Sequence, residues 1–254
     1  MDFHSTAARF TYATRTASAD WLKFATDMLS VDGKDCADIG CGGGIYSRAL
    51  SALGAHSVVG VDSSKKILNG AIEKTNDSVV EYREGDAVNL PLVSASKDLV
   101  LGRAVIHHLE QPEEFFAEAF RVLRPNGMLV IQDRTKEDCL QPATVEHFRG
   151  YLFQLFPRLL EYEAARRPDS NTVVQALESS GFSQIKKVEL WELRKIYDAP
   201  QDLEEDLIQR TGRSILYQLT DGELFKLVAF VLDKAENHFP LKEKDLWTLW
   251  IATK

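Results

Sequence analysis

The chain is poor in several things that would each have pointed to a different kind of protein. Its 254 residues hold only three cysteines, Cys36, Cys41 and Cys139. An odd number without the paired spacing of metal sites speaks against a disulfide framework and against a metal module, and suits a reducing cytosol. There is no block of lysine or arginine, and the formal net charge is −8. A protein whose affinity rests on phosphate-backbone contacts is built the other way, so no nucleic-acid partner is expected. No apolar run is long enough to span a bilayer, and residues 1–19 hold no apolar core of signal-peptide length. A cytoplasmic protein without a membrane span is the expectation. Internal repeats and low-complexity linkers are missing too. What remains, 44% hydrophobic and 27% charged residues over this length, is an ordinary globular composition for one α/β domain with insertions.

One stretch reads two ways. "HSTAARFTYATRTASA" (4–19) is rich in Ser, Thr, Ala and Arg and free of acids, as a mitochondrial presequence is. Asp2 and the continuation into "DWLKFATDML" favour a structured amphipathic helix.

Beyond it, strand-like and helix-like segments alternate. "KDCADIG" ends a short strand at Asp38, and "IYSRALSAL" (45–53) carries Ile45, Ala49, Leu50 and Leu53 at helical spacing before Gly54. "SVVGVD" (57–62) is a buried strand, followed by a serine-capped helix with Ile67, Leu68, Ala71 and Ile72 on one face. "VVEYR" (79–83) and "KDLVLGR" (97–103) are further strands, and Pro112 with Glu113 and Glu114 opens a helix to Leu123. "MLVIQD" (128–133) is a fifth strand. This alternation predicts parallel βαβ units in a doubly wound sheet. A helix over 171–182 and two late strands, "SQIKKVELWEL" and "DLWTLWIATK", complete it. Residues 142–165 show a helical pattern with His147, Phe148, Tyr151, Phe153 and Phe156, and residues 200–238 read as two more helices.

The loop "DIGCGGG" (38–44) joins the first strand to the first helix of the sheet. Glycine there lets backbone approach a ligand with no Cβ between, and the helix behind it presents free N–H groups. A dinucleotide fingerprint needs G-x-G-x-x-G, but the third position is Ile45 when counting from Gly40 and Ser47 when counting from Gly42. The pattern that does stand is D-x-G-x-G-x-G, from Asp38 through Gly40, Gly42 and Gly44. Cys41 within it reads as a small residue at a tight turn rather than a nucleophile.

"DIGCGGG", "VVGVD", "GDAVNLPL", "DLVLGRAVIHHL" and "RVLRPNGMLVIQD", in this order and spacing, resemble the Rossmann-like, class I S-adenosylmethionine-dependent methyltransferases, in particular the small-molecule (methyltransferase type 11-like) branch. The resemblance covers about 34–133 and, more loosely, 171–191. It implies a mostly parallel seven-stranded sheet with an antiparallel C-terminal hairpin strand, and helical insertions over the carboxyl ends of the strands. One domain is expected over 1–254, with its core in 31–135, 170–195 and 245–254, and with substrate or lid helices in 1–30, 138–168 and 198–240. The cofactor it implies is S-adenosyl-L-methionine, leaving S-adenosyl-L-homocysteine as product.

Asp62 stands 22 residues after Gly40 at the end of the second strand, with Ser63 beside it, where a carboxylate either accepts both ribose hydroxyls or balances the dipole of the following helix. The resemblance gives Asp86 the adenine amino group and Ala87 a backbone N–H to the ring. It turns Asp38 and Gly40 to the methionine end, with Cys41, Gly42 and Gly44 lining the loop. Arg103 follows the fourth strand where the family usually has a smaller residue, and His108 walls the cofactor. A small-molecule methyl acceptor is implied, with no metal, and the chain is expected to be a monomer or homodimer.

A base is required only where the acceptor carries a proton at working pH. His107 and Asp133 are the candidates for catalysis, and His147 and Tyr151 for the substrate wall. Packing or capping is the alternative role for each. Arg9, Tyr12 and Arg15 either close over the methionine carboxylate or form the exposed face of a helix. Two other functions stay open on sequence: a non-catalytic cofactor-binding or interaction protein on this fold and, remotely, a nicotinamide oxidoreductase.

Overall fold

The structure is a computed structural model and describes residues 16–254. Arg9, Tyr12, Arg15 and most of the acid-free stretch lie outside the described residues. The described residues divide into two compact units, one of residues 16–133, 168–190 and 248–254, the other of residues 134–167 and 191–247.

The first unit is built on the sheet. Its strands are β1 (Asp35–Ile39), β2 (Ser57–Asp62), β3 (Val80–Glu84), β4 (Lys97–Arg103) and β5 (Leu123–Asp133), joined by β6 (Ser183–Tyr197) and β7 (Leu241–Thr253), which run on into the second unit. The order is β3-β2-β1-β4-β5-β7-β6. β1 to β5 pair in parallel, and β7 runs antiparallel to β5, Met128 facing Thr253 and Asp133 facing Thr248. This is the seven-stranded mixed sheet the sequence led us to expect. Strands buried on both faces need near-continuous apolar runs, and β1, β2 and β4 are such runs.

Helices cover them for local reasons. Ser18 accepts the Trp21 N–H at 3.1 Å and starts α1 (Ala19–Met28). Trp21, fully buried, donates its indole N–H to the Gln132 side chain of β5 at 3.0 Å, so α1 is fastened to the sheet. Residues Ile45–Ala52 (α2) and Lys65–Lys74 (α3) follow β1 and β2. Pro112 opens α4 (Pro112–Val122), whose Phe115, Phe116, Ala119 and Val122 share one core with Val100, Leu129, Ile131 and Trp250.

The second unit has its own core, in which Phe148, Leu152 and Tyr197 gather with Leu203, Leu207, Leu227 and Val231. Here the single helical pattern read over 142–165 is broken. After α5 (Lys136–Cys139), Thr144 and His147 exchange backbone hydrogen bonds, and two short helices follow, α6 (Arg149–Leu155) and α7 (Leu159–Ala165). Phe156 sits before Pro157 with φ −133° and ψ 71°, outside helical space. Proline forces that on its predecessor and brings no N–H to continue the ladder. After α8 (Ser170–Ser179) in the sheet unit, the second unit resumes with α9 (Pro200–Ile208), a 3₁₀ turn at Ser214–Gln218 and α10 (Asp221–Ala235), which opens with a Thr220–Glu223 capping box.

Candidate cofactor site at the carboxyl end of the sheet

Strand order reverses between β1 and β4, and ligands of open parallel sheets bind outside the carboxyl ends of the strands at that point. The loop after β1 lies there. The N–H groups of Gly40 and Cys41 both donate to the Val61 carbonyl, at 2.8 and 3.1 Å, tying the loop to the neighbouring strand. Gly42 and Gly44 have φ of +52° and +75°. At Gly44 an added Cβ would strike the Tyr82 hydroxyl, whereas at Gly42 it would meet nothing within 4 Å. Gly44 is small because protein packs against it. Gly42 turns a bare backbone toward open space.

Asp62 closes this loop. One carboxylate oxygen accepts the Gly42 N–H at 2.9 Å and the other accepts the Ser64 N–H at 2.9 Å. The carboxylate is therefore aimed by backbone on both sides, while Ser63 between them is exposed. Asp38 is almost wholly buried, and Ser47, also buried, donates its hydroxyl to it at 2.6 Å. Burial pushes the Asp38 carboxyl up to about 7. The Ser47 hydrogen bonds and the charge of Arg103 oppose this, and the charge of Asp62 adds to it. Arg103 itself lies with its guanidinium carbon 4.3 Å over the Tyr46 ring, which in turn meets Trp21 edge-on at 4.8 Å. Cys41 is a buried thiol whose pKa burial raises well above the ordinary value, so it is no ready nucleophile.

Asp86 is exposed on the loop after β3. Its carboxylate accepts the Val88 N–H at 3.1 Å and its carbonyl the Asn89 N–H at 3.1 Å, which sets the loop that displays Ala87. Across the reversal point, Val105 fills the space a Cβ on Gly40 would need, at 3.0 Å. Two residues on, in the 3₁₀ turn Ile106–His108, His107 Nδ1 lies 2.8 and 2.9 Å from the two oxygens of Asp133, and its backbone N–H reaches the same carboxylate at 3.3 Å. Asp133 is fully buried, and His108, exposed, holds its ring centroid 4.0 Å from that of His107.

Asp38, the glycines, Asp62, Asp86, Arg103, His107 and Asp133 thus all belong to the sheet unit. His147 and Tyr151 belong to the other one. His147 is 3% exposed, with its ring edge-on to Trp191 at 5.6 Å, and burial lowers its pKa. Its Nε2 has no hydrogen-bond partner among the described residues. Tyr151 packs edge-on to Phe230 in the helical core. Sequence reasoning passed over Ser47, Tyr46 and Val105. Ser47 stands three residues past Gly44 on a short helix, and nothing in its spacing marks a buried hydroxyl.

The sheet order and the D-x-G-x-G-x-G loop are those of the Rossmann-like methyltransferase fold, and residues 37–131 match a methyltransferase domain family. It is 31% identical over 165 residues to the ubiquinone biosynthesis O-methyltransferase of Rhizobium etli (strain CIAT 652), a match covering 63% of this chain and 65% of that protein. The chain spans less than two thirds of the length of the curated relatives it matches first. Among solved structures it is similar to one from Anabaena variabilis ATCC 29413, named for a methyltransferase of an antibiotic biosynthesis pathway. That likeness has a TM-score of 0.72 at 21% identity and covers 93% of this chain and 98% of the other. It is also similar to phosphoethanolamine N-methyltransferase 2 of Haemonchus contortus in complex with phosphomonomethylethanolamine and S-adenosylhomocysteine. There the TM-score is 0.63 at 18% identity, covering 100% of this chain and 59% of that one. No helix of the described residues is long and apolar enough to cross a membrane.

Proposed function

We propose that this chain transfers a methyl group from S-adenosylmethionine to a small-molecule acceptor, with oxygen as the receiving atom. The observation that carries the reading is the loop itself: Gly42 presents bare backbone to open space while Asp62 is held beside it by two backbone N–H groups. The choice of oxygen draws on the likeness to a ubiquinone biosynthesis O-methyltransferase.

The residues suit the group they would hold. Asp62 offers two aimed oxygens to a ribose diol, and Asp86 with the Ala87 N–H offers an acceptor and a donor to adenine. Asp38 is a buried carboxyl whose proton is held up to about 7. Such a group is relieved by the arrival of a cation, and the amino group of a methionine moiety is one. When bound, S-adenosylmethionine supplies a methyl already activated on a sulfonium. The work left to the chain is to hold the acceptor in line and to exclude water. Arg103, fixed over Tyr46, brings a positive charge to the same end of the site, and Ser63 and His108 face solvent where the ligand would lie.

The test is calorimetric titration of the purified chain with S-adenosylhomocysteine and, separately, with NADH. The expected result is binding of the first alone. Binding of NADH would return the loop to the nicotinamide enzymes, and binding of neither would leave an interaction protein on this fold.

A further inference from the structure

The contact between His107 and Asp133 brings together two residues 26 positions apart and asks what the pair does. β4 and β5 run in parallel with Arg103 facing Gln132, so Asp133 stands one residue beyond that pair, beside the turn that carries His107. Its carboxylate accepts from the ring Nδ1–H and from the backbone N–H of the same residue. A carboxylate that takes both fixes the ring's tautomer as well as its place. Nε2 is left as the basic nitrogen, held at a fixed place by the carboxylate behind it. Capping of a short turn would need only the backbone contact. The ring is nearly buried, its side chain 11% exposed, so what reaches it is small. Val105, two residues before it, packs on Gly40 of the cofactor loop.

We propose that His107 is the general base of the transfer and Asp133 its positioning residue, and that the acceptor is accordingly a hydroxyl acid enough to surrender its proton to imidazole, a phenol or enol rather than an alcohol. This rests on the methyltransferase reading above. In the step, the acceptor oxygen forms a bond to the methyl carbon as the carbon–sulfur bond breaks. The bonding pair stays on sulfur, whose positive charge is cancelled. The hydroxyl proton passes to His107 Nε2, is held there against Asp133, and leaves to solvent. Each turnover thus gives one methyl ether, one S-adenosylhomocysteine and one proton. Among the described residues, Asp133 faces the ring through these hydrogen bonds and His108 lies with its own ring 4.0 Å away.

The experiment follows transfer of labelled methyl from S-adenosylmethionine by the full chain to two probes, unsubstituted catechol as the phenol and phenethylamine as an amine. Wild type is compared with His107→Gln and Asp133→Asn, all checked for S-adenosylhomocysteine binding and melting temperature. Expected are transfer to the phenol and a fall in kcat of about 10²–10⁴-fold in His107→Gln with cofactor affinity kept. Raising the pH past the phenol's own ionisation should recover activity in that variant, because a phenolate needs no base. Asp133→Asn should lower kcat more than it changes KM. Should Asp133→Asn fail to fold, His107→Gln and its recovery at high pH decide alone. The proposal is overturned if His107→Gln keeps its kcat within threefold, if high pH recovers nothing, if the amine is the probe methylated, or if wild type that binds S-adenosylhomocysteine leaves the phenol untouched. Absence of S-adenosylhomocysteine binding in wild type would instead overturn the methyltransferase reading itself.

Discussion

Ser47 donates its hydroxyl to Asp38 at 2.6 Å, and neither side chain has appreciable contact with solvent. An aspartate titrates near 3.9 in an unfolded chain, whereas burial holds Asp38 up to about 7 in the fold. The folded state therefore binds this proton more tightly. The resulting stability is fully present below about pH 4 and is lost as the pH rises through about 7. The contribution is on the order of 4 kcal/mol at most. In cofactor-free protein, Asp38→Asn should flatten the decline in melting temperature between pH 5 and 8. An ammonium placed beside Asp38 favours its charged form, so S-adenosylhomocysteine binding near pH 6.5 should release a proton. Calorimetry in buffers of different ionisation enthalpy reads that directly.

Asp62 holds the glycine loop through the Gly42 N–H and its own helix entry through the Ser64 N–H. Charge-assisted hydrogen bonds are worth about 1.5–3 kcal/mol each. Asp62→Ala should weaken S-adenosylhomocysteine binding by about ten- to a hundredfold or more. An unchanged dissociation constant would remove the ribose role.

Gly42 and Gly44 separate ligand space from protein space. Both have positive φ, where an L side chain costs about 1–2 kcal/mol. Gly42→Ala should therefore fold with about that loss, yet bind cofactor poorly, because its methyl enters the open side. Gly44→Ala meets the Tyr82 hydroxyl as well and should lose more stability. Denaturant midpoints and cofactor titrations of the two variants give the comparison.

The second unit buries charge. Glu243 accepts from Arg213, Arg194 and Tyr197 at 2.5, 2.8 and 2.7 Å, and Glu163 accepts from Arg149 and Arg167 at 3.0 and 2.7 Å. Breaking such a cluster by removing one partner costs about 3–5 kcal/mol, which is the loss expected of Glu243→Ala in urea unfolding. Burial pushes the Glu163 carboxyl up, but Arg149 and Arg167 outweigh it and bring it down to about 2. Stability from Glu163 is then present above pH 4.5 and lost as the pH falls through about 2. Acid unfolding should be followed there with and without Glu163→Gln.

Much of this was legible in the residue order because it is local. Apolar runs named β1, β2 and β4, Pro112 marked its helix, and the failed dinucleotide spacing narrowed the cofactor. The aromatic spacing of 142–165 satisfies a helix, but Pro157 takes Phe156 out of helical space and breaks it. Long-range partnerships left no periodic trace. Trp21 and Gln132 are 111 positions apart, and His107 and Asp133 were visible as single candidates but not as a pair. Ser47 became part of the site only when the fold showed which side of α2 it occupies.

β7 has one further consequence, for synthesis. It lies between β5 and β6, so the sheet cannot close until residues near 250 have left the ribosome. Arg134 likewise waits for Asp245, and Lys254 donates to the carbonyls of Phe120 and Leu123. Both cores thus stay open until β7 has emerged, with apolar strands such as β4 and β5 exposed meanwhile. Such a chain tolerates early termination badly, since one stopped before about residue 240 lacks part of each core.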